Sequence, residues 1–127
     1  MAKTYFISGH RDISKDEFEL HYASKIRDIV EEDPYAKFVV GDYHGVDNLA
    51  QIFLYKLVEE GILAFDSITV YHMFTEPRNN LCAFKTIGGF TSDIERDSAM
   101  TNISDEDIAW VRLGKESSGT AQNLMRR

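Results

Sequence analysis

Short β-rich apolar runs alternate along this chain with longer stretches of helical period, and that alternation constrains the fold more than any other feature. Thr4 to Ser8 (Thr-Tyr-Phe-Ile-Ser) is closed at once by Gly9, which predicts a buried strand ending in a sharp turn. Ser14 stands three residues before Glu17, a capping-box spacing, and Phe18, Tyr22, Ile26, Ile29 and Val30 follow with helical period. A helix is therefore expected from about Ser14 to Glu32, ending before Pro34. Lys37 to Val40 predicts a second strand stopped by Gly41, and Val46, Leu49, Ala50, Phe53, Leu54, Leu57 and Val58 form a regular amphipathic stripe closed by Gly61. Ser67 to His72 predicts a third strand. Met73 to Phe90 holds Pro77 and Gly88-Gly89, shows no steady period and is expected to be an irregular loop. A short helix over Ser92 to Asn102, a fourth strand over Ile108 to Leu113 and a terminal helix opened by Ser117-Ser118-Gly119-Thr120 complete the order.

Strands alternating with helices imply right-handed crossovers and a parallel sheet covered on both faces. The expected class is α/β, a small Rossmann-like three-layer sandwich with a mainly parallel sheet of about four to five strands. At 127 residues, 43% of them hydrophobic, the chain suits one domain over 1–127. Its formal charge of -7 repels phosphate backbones and anionic lipid, so no nucleic acid polymer and no membrane is expected as partner. A small anionic ligand stays in play, because a helix N-terminus holds a phosphate locally. The one cysteine, Cys82, allows no intrachain disulfide, and no secretory signal or membrane-spanning run is apparent, which points to a cytoplasmic setting. The four histidines, His10, His21, His44 and His72, lack paired ligand spacing, so neither a metal nor another cofactor is expected. The short sheet would have exposed edges that a second copy of the chain would cover, so a homodimer or higher homo-oligomer is left open.

In open α/β sheets ligands bind outside the carboxyl ends of the strands, which directs attention to three loops. They carry Ser8-Gly9-His10-Arg11, Gly41-Asp42-Tyr43-His44-Gly45-Val46-Asp47 and Ser117-Ser118-Gly119-Thr120. Each combines small residues, which let a ligand approach the backbone, with donors suited to phosphate and ribose oxygens. The serine-rich opening of the last helix reads either as an anion cradle of amides and hydroxyls or as an ordinary N-cap. Arg11 reads as a bidentate phosphate partner or a surface arginine, and Asp47 as a site carboxylate or a routine first-turn residue.

The segments Ile7-Ser8-Gly9-His10-Arg11, Gly45-Val46-Asp47-Asn48-Leu49-Ala50, Arg96 through Met100, and Ser104-Asp105 leading to Ser118-Gly119-Thr120 resemble, in order and spacing, the SLOG superfamily. That Rossmannoid group contains the cytokinin-activating phosphoribohydrolases and the DprA-like proteins, and the resemblance runs from about Lys3 to Met125. It implies a pocket for a nucleotide or nucleotide-derived signal, with phosphate near Gly119 and Thr120 and sugar near Ser8 and Gly9. Ser8, Gly9, His10, Arg11, Gly45, Ser117, Ser118, Gly119, Thr120 and Asn123 are the implied ligand-binding positions. The phosphoribohydrolase members carry Gly-Gly-x-Gly-Thr-x-x-Glu, whose acid acts with an upstream arginine that Arg96 matches. Here Ser117 and Ser118 precede Gly119, and Asn123 takes the acid's position.

An amide cannot accept a proton or attack an anomeric carbon as a carboxylate does. Cleavage of an N-glycosidic bond builds positive charge on the sugar, so it would need another carboxylate, with Asp42, Asp47, Glu95 and Asp97 as candidates. Three readings follow. The first is a nucleotide-binding domain with a sensing or sequestering role. The second is a nucleoside-monophosphate N-glycosidase in which Arg96 and Asp47 or Asp42 are catalytic. The third is a ligand-free protein interaction module.

Overall fold

Side-chain alternation along the strands divides the buried residues into two layers. Tyr5 and Ile7, Phe38 and Val40, and Ile68 and Val70 point to one face, while Phe6, Val39 and Tyr71 point to the other. The computed structural model describes residues 2–127. Its sheet contains β1 (Thr4–Ile7), β2 (Lys37–Gly41), β3 (Ile68–Met73), β4 (Lys85–Phe90) and β5 (Glu106–Ile108), in the order β4-β3-β2-β1-β5, with every pair parallel. The protein is thus an α/β sandwich of the Rossmann-like kind.

The first face is covered by α1 (Lys15–Phe18), a π-helical turn (Glu19–Ala23), α2 (Ser24–Glu32) and α3 (Val46–Glu59), through Phe18, Tyr22, Ile26, Val30, Val46, Ala50, Phe53, Leu54 and Leu57. The Ser14 and Glu17 capping box is present: each side chain accepts from the other's backbone N–H, at 2.9 and 3.1 Å. The second face is covered by α4 (Asp93–Ile103), whose Met100 packs on Phe6, Val39 and Tyr71, and α5 (Gly119–Arg126) lies beside α4. Between β1 and β5 the strand order reverses, and that is where α/β sheets open a crevice.

Two elements differ from the sequence expectation. The stretch expected to be irregular ends in the edge strand β4, whose glycines hid it: a Cβ on Gly88 would collide with the His72 ring, and Gly89 has φ +92°. Before β4, the connection is tied down by side chains rather than by secondary structure. Gln51 donates to the Gly41 and Asn79 carbonyls and accepts from Leu81 N–H at 3.0 Å. The last strand is Glu106–Ile108, not Ile108–Leu113. It is a three-residue edge strand paired only with β1, in which Glu106 is exposed and Asp107 is covered by its ion pair with Arg127, while Trp110 and Arg112 leave the sheet and build a loop.

The π-helical turn, unforeseen in the sequence, carries Tyr22 inward. Its hydroxyl donates to the Ser8 carbonyl at 2.8 Å and accepts from Trp110 N–H at 2.9 Å, joining the ends of β1 and β5 across the reversal point. Tyr22→Phe strands two backbone groups at once, and a loss of about 1–3 kcal/mol is expected in urea titration with an unchanged slope.

Candidate functional site

Beyond the carboxyl ends of β1, β2 and β5 lies a cleft of about 460 Å³. Ser8, Gly9, His10 and Arg11 enter it from the loop after β1, Tyr43, His44 and Asp47 from β2 and the start of α3, and Ser118, Gly119 and Thr120 from the start of α5. Arg96, Asp97 and Met100 of α4, with Asn123 of α5 and Phe6, add to the wall. The structure brings together all but four of the sequence-selected residues: Asp42, Gly45, Glu95 and Ser117 lie outside the lining.

Gly45 acts through the backbone. Its φ is +81°, and a Cβ there would strike the Arg11 backbone, so only glycine lets the loops after β1 and β2 pack together. Val46 N–H donates to the His10 carbonyl at 3.2 Å across that contact. Gly41 is similarly pressed, with Asp47 Oδ2 and Arg96 Cζ both within 3.0 Å of where its Cβ would lie.

Asp42 is fully buried and anchors a charge network behind the cleft. Its oxygens accept from Arg96 Nη1 at 2.8 Å, Arg78 Nη2 at 2.8 Å and Arg78 N–H at 2.7 Å. Burial pushes its carboxyl up, yet the Arg78 hydrogen bonds and the charges of Arg78 and Arg96 outweigh that and hold it below the usual range. Arg96 spends the rest of its guanidinium on Asp97 Oδ1, at 2.8 and 3.0 Å, and on Asp93 at 3.3 Å. Asn123 completes the chain: its amide N–H donates to Asp97 Oδ2 at 3.1 Å, and its carbonyl accepts from Arg126. It therefore clamps α5 to α4 where an acid would face Asp97 with like charge. Glu95, also a sequence candidate, is exposed and bonded to Thr91.

At the opening of α5, Ser118 is the N-cap, its Oγ accepting from Ala121 N–H at 3.2 Å. The N-cap reading of this serine is right at the level of geometry, and it leaves the first-turn amides of Gly119 and Thr120 open beside the Thr120 hydroxyl. Across the cleft, the Ser8 Oγ is buried without a hydrogen-bond partner in a residue only 6% exposed.

Charge compensation is uneven. Of the carboxylates lining the cleft, Asp12 pairs with Arg112, and Asp93 and Asp97 pair with Arg96. Arg11 and Lys115 line the cleft with no ion pair among the described residues; Arg11 donates only to the Tyr43 hydroxyl, at 3.3 Å. Lys115 escaped sequence reasoning because a single lysine in a loop carries no pattern. Trp110 and Arg112 also escaped it. They form a rim in which the His21 ring stacks on Trp110 at 4.0 Å and Arg112 lies over the same indole at 5.6 Å.

The remaining lining carboxylate is Asp47, 8% exposed, whose Oδ2 accepts from Tyr43 N–H at 3.0 Å and which makes no salt bridge among the described residues. Burial drives its pKa to about 7; Arg96 and the Tyr43 N–H oppose this, and Asp97 and Asp42 add to it. Such a group exchanges a proton near neutrality. No group of three or more His, Cys, Asp or Glu suited to a metal occurs among the described residues, and none of their helices is long and apolar enough to cross a membrane.

Comparisons with protein-family models, curated proteins and solved structures find no significant match.

Because the folded-state pKa of Asp47 lies above its unfolded value, its burial is tolerated while protonated and becomes destabilising as pH rises from about 4 to 7. Asp47→Asn is expected to be more stable than the parent at pH 8, by at least about 1 kcal/mol, with the gap closing toward pH 4. Urea titrations at both pH values check this.

Proposed function

We propose that this protein binds a nucleotide-type ligand at the carboxyl ends of its parallel strands, in a sensing or sequestering role. One observation carries the reading: the cleft joins two cations that lack carboxylate partners, Arg11 and Lys115, to a buried Ser8 hydroxyl that lacks a hydrogen-bond partner. Two exposed cations without carboxylate partners at the mouth of a cleft favour an anion, and an unsatisfied buried hydroxyl costs free energy until something pairs with it. The open amides of Gly119 and Thr120 add a phosphate-sized row of donors with the helix dipole behind them. Phosphate then lies between α5, Arg11 and Lys115, and sugar hydroxyls meet Ser8 and the Asp47 carboxylate. The resemblance of the loop motifs to SLOG proteins supports the same assignment, although Asn123 replaces the acid of the phosphoribohydrolase signature.

Adenosine, guanosine, cytidine and uridine monophosphates should be screened by thermal denaturation. A ligand at 100 times its Kd adds about 2.7 kcal/mol, a shift of several degrees for a domain this size. Arg11→Ala, at an exposed loop position, is expected to abolish that shift while retaining the parent melting temperature within about 2 °C, and Thr120→Val, at a buried position in the first turn of α5, to abolish it while the protein stays folded. Normal ligand shifts in both variants would overturn the placement, and no shift with any phosphorylated nucleoside or sugar would overturn the reading.

Asp47 favours a second reading, N-glycosidic hydrolysis. In that reaction water adds to the anomeric carbon as the carbon–nitrogen bond breaks, its electron pair leaving on the base. Asp47 accepts the water's proton and solvent protonates the base, giving free base and sugar phosphate. Incubation with each monophosphate followed by mass analysis of small products tests it. Asp47→Asn should then lower the release of base by about a hundredfold or more while still binding the nucleotide; intact nucleotide after incubation with the parent leaves binding alone.

A further inference from the structure

His10 stands between the cleft and the loop that forms its rim. Its ring lines the cleft, and its Nε2 accepts from the Arg112 backbone N–H at 2.8 Å. A ring nitrogen that accepts a hydrogen bond carries no proton, so the neutral imidazole holds its proton on Nδ1. That Nδ1 has no hydrogen-bond partner among the described residues, yet it is not one of the buried polar atoms shut off from solvent. His10 is buried, 7% exposed, so this N–H is a donor fixed in place in a residue that lines the cleft and not taken up by any other described residue.

On the other side of the ring, Arg112 begins a folded-back segment. Lys115 N–H donates to the Arg112 carbonyl at 2.9 Å, and Ser118 N–H donates to the Lys115 carbonyl at 3.0 Å. The segment carries Lys115 into the cleft wall and runs directly into the N-cap of α5. The Arg112 guanidinium is tied to Asp12 at 3.0 Å and Glu17 at 2.9 Å, and Trp110 meets the His10 ring edge-on at 5.9 Å.

We propose that His10 is a positioning residue: its Nδ1–H donates to an anionic oxygen of the bound ligand while its Nε2 holds the Arg112 amide, so that ligand occupancy and the placement of Lys115 reinforce one another. A donor whose ring proton is drawn toward an anion becomes a better acceptor at its second nitrogen, which gives the coupling its sign. The ligand half rests on the nucleotide-binding reading; the latch half does not. Protonation would place an N–H on Nε2 facing the Arg112 N–H and open the latch. The charged groups facing the ring are Arg112 and Lys115 from the rim, Asp12 from the loop after β1 and Glu17 from α1. Burial, then the Arg112 charge, make His10 harder to protonate than a free imidazole, so the latch holds at neutral pH and opens in acid.

Imidazole nitrogen NMR at pH 7.5 should show the Nδ1–H tautomer for His10, and an Nε2–H tautomer overturns the latch even if substitutions at this position fold poorly. Amide hydrogen exchange supplies a second test through two variants. Glutamine reaches the Nε2 position and asparagine reaches only the Nδ1 position. His10→Asn should speed exchange at Arg112, whereas His10→Gln should leave it within about threefold of the parent; unchanged exchange in His10→Asn overturns the latch. The ligand half is read with adenosine monophosphate and ribose 5-phosphate, followed by the fluorescence of Trp110, the one tryptophan of the chain. Binding should slow exchange over 112–118 in the parent, and His10→Gln should weaken affinity about tenfold or more. Equal affinity in His10→Gln overturns the ligand half. A parent that binds neither compound overturns the nucleotide reading and the ligand half together, while the tautomer and exchange results still decide the latch.

Discussion

The cleft depends on one buried charge, the Asp42 carboxylate. Removing such a group from water costs several kcal/mol, and the chain offsets that cost with donors from two arginines. Each donor fixes something else. Arg78 secures the connection between β3 and β4, which has little regular structure of its own. Arg96 secures α4 against the end of β2, and through Asp97 and Asn123 it aligns α5. The amides that open into the cleft are therefore aligned by an ion-pair chain rooted in the fully buried Asp42 and running out through Arg96 and Asp97 to the cleft wall.

That chain also explains the sign of the cleft. Its arginines are used up on structural carboxylates, and those carboxylates are neutralised in turn. What remains is a small imbalance: Arg11 and Lys115 on the rim and Asp47 on the floor. An anion with a polyol attached, charged at one end and hydroxylated at the other, matches this division, which supports a sugar phosphate over a plain dianion or an apolar compound. The net charge of -7 discourages polyanions, which is consistent with a small ligand in the proposed role.

Most of the architecture was legible in the sequence because period-2 and period-3.6 patterns report burial directly. The loops after β1 and β2 were legible for a related reason, since their glycines occur at close approaches, Gly9 against the Val46 and Tyr22 side chains and Gly45 against the Arg11 backbone. Strand β4 was not, because Gly88 serves a close approach to His72, and Gly89 a positive φ, that only the folded sheet reveals. The short edge strand was expected too late in the chain, overlapping only at Ile108, since Glu106 and Asp107 are acidic residues taken up by Lys3 and Arg127 and Trp110 does not belong to the sheet. Within the cleft, Asp47 and Arg96 were selected by position in the motifs, but their different situations depend on who pairs with Arg96. That is a matter of three-dimensional partners, and no spacing in the sequence encodes it. Lys115 and the His10 contact with Arg112 were illegible for the same reason, joining residues about a hundred positions apart.

The π-helical turn at Glu19–Ala23 has a consequence for how this chain can vary. A wider turn absorbs one residue more than a regular α-helical turn holds, where each residue accounts for about 100° of rotation, so the extra residue is taken up locally and Ile26 and Val30 stay against the sheet. Losing one residue there would relax the turn to regular α-helix and leave that stripe near its present face. What such a change of length unseats is Tyr22, whose hydroxyl spans the Ser8 carbonyl and the Trp110 amide from within the widened turn.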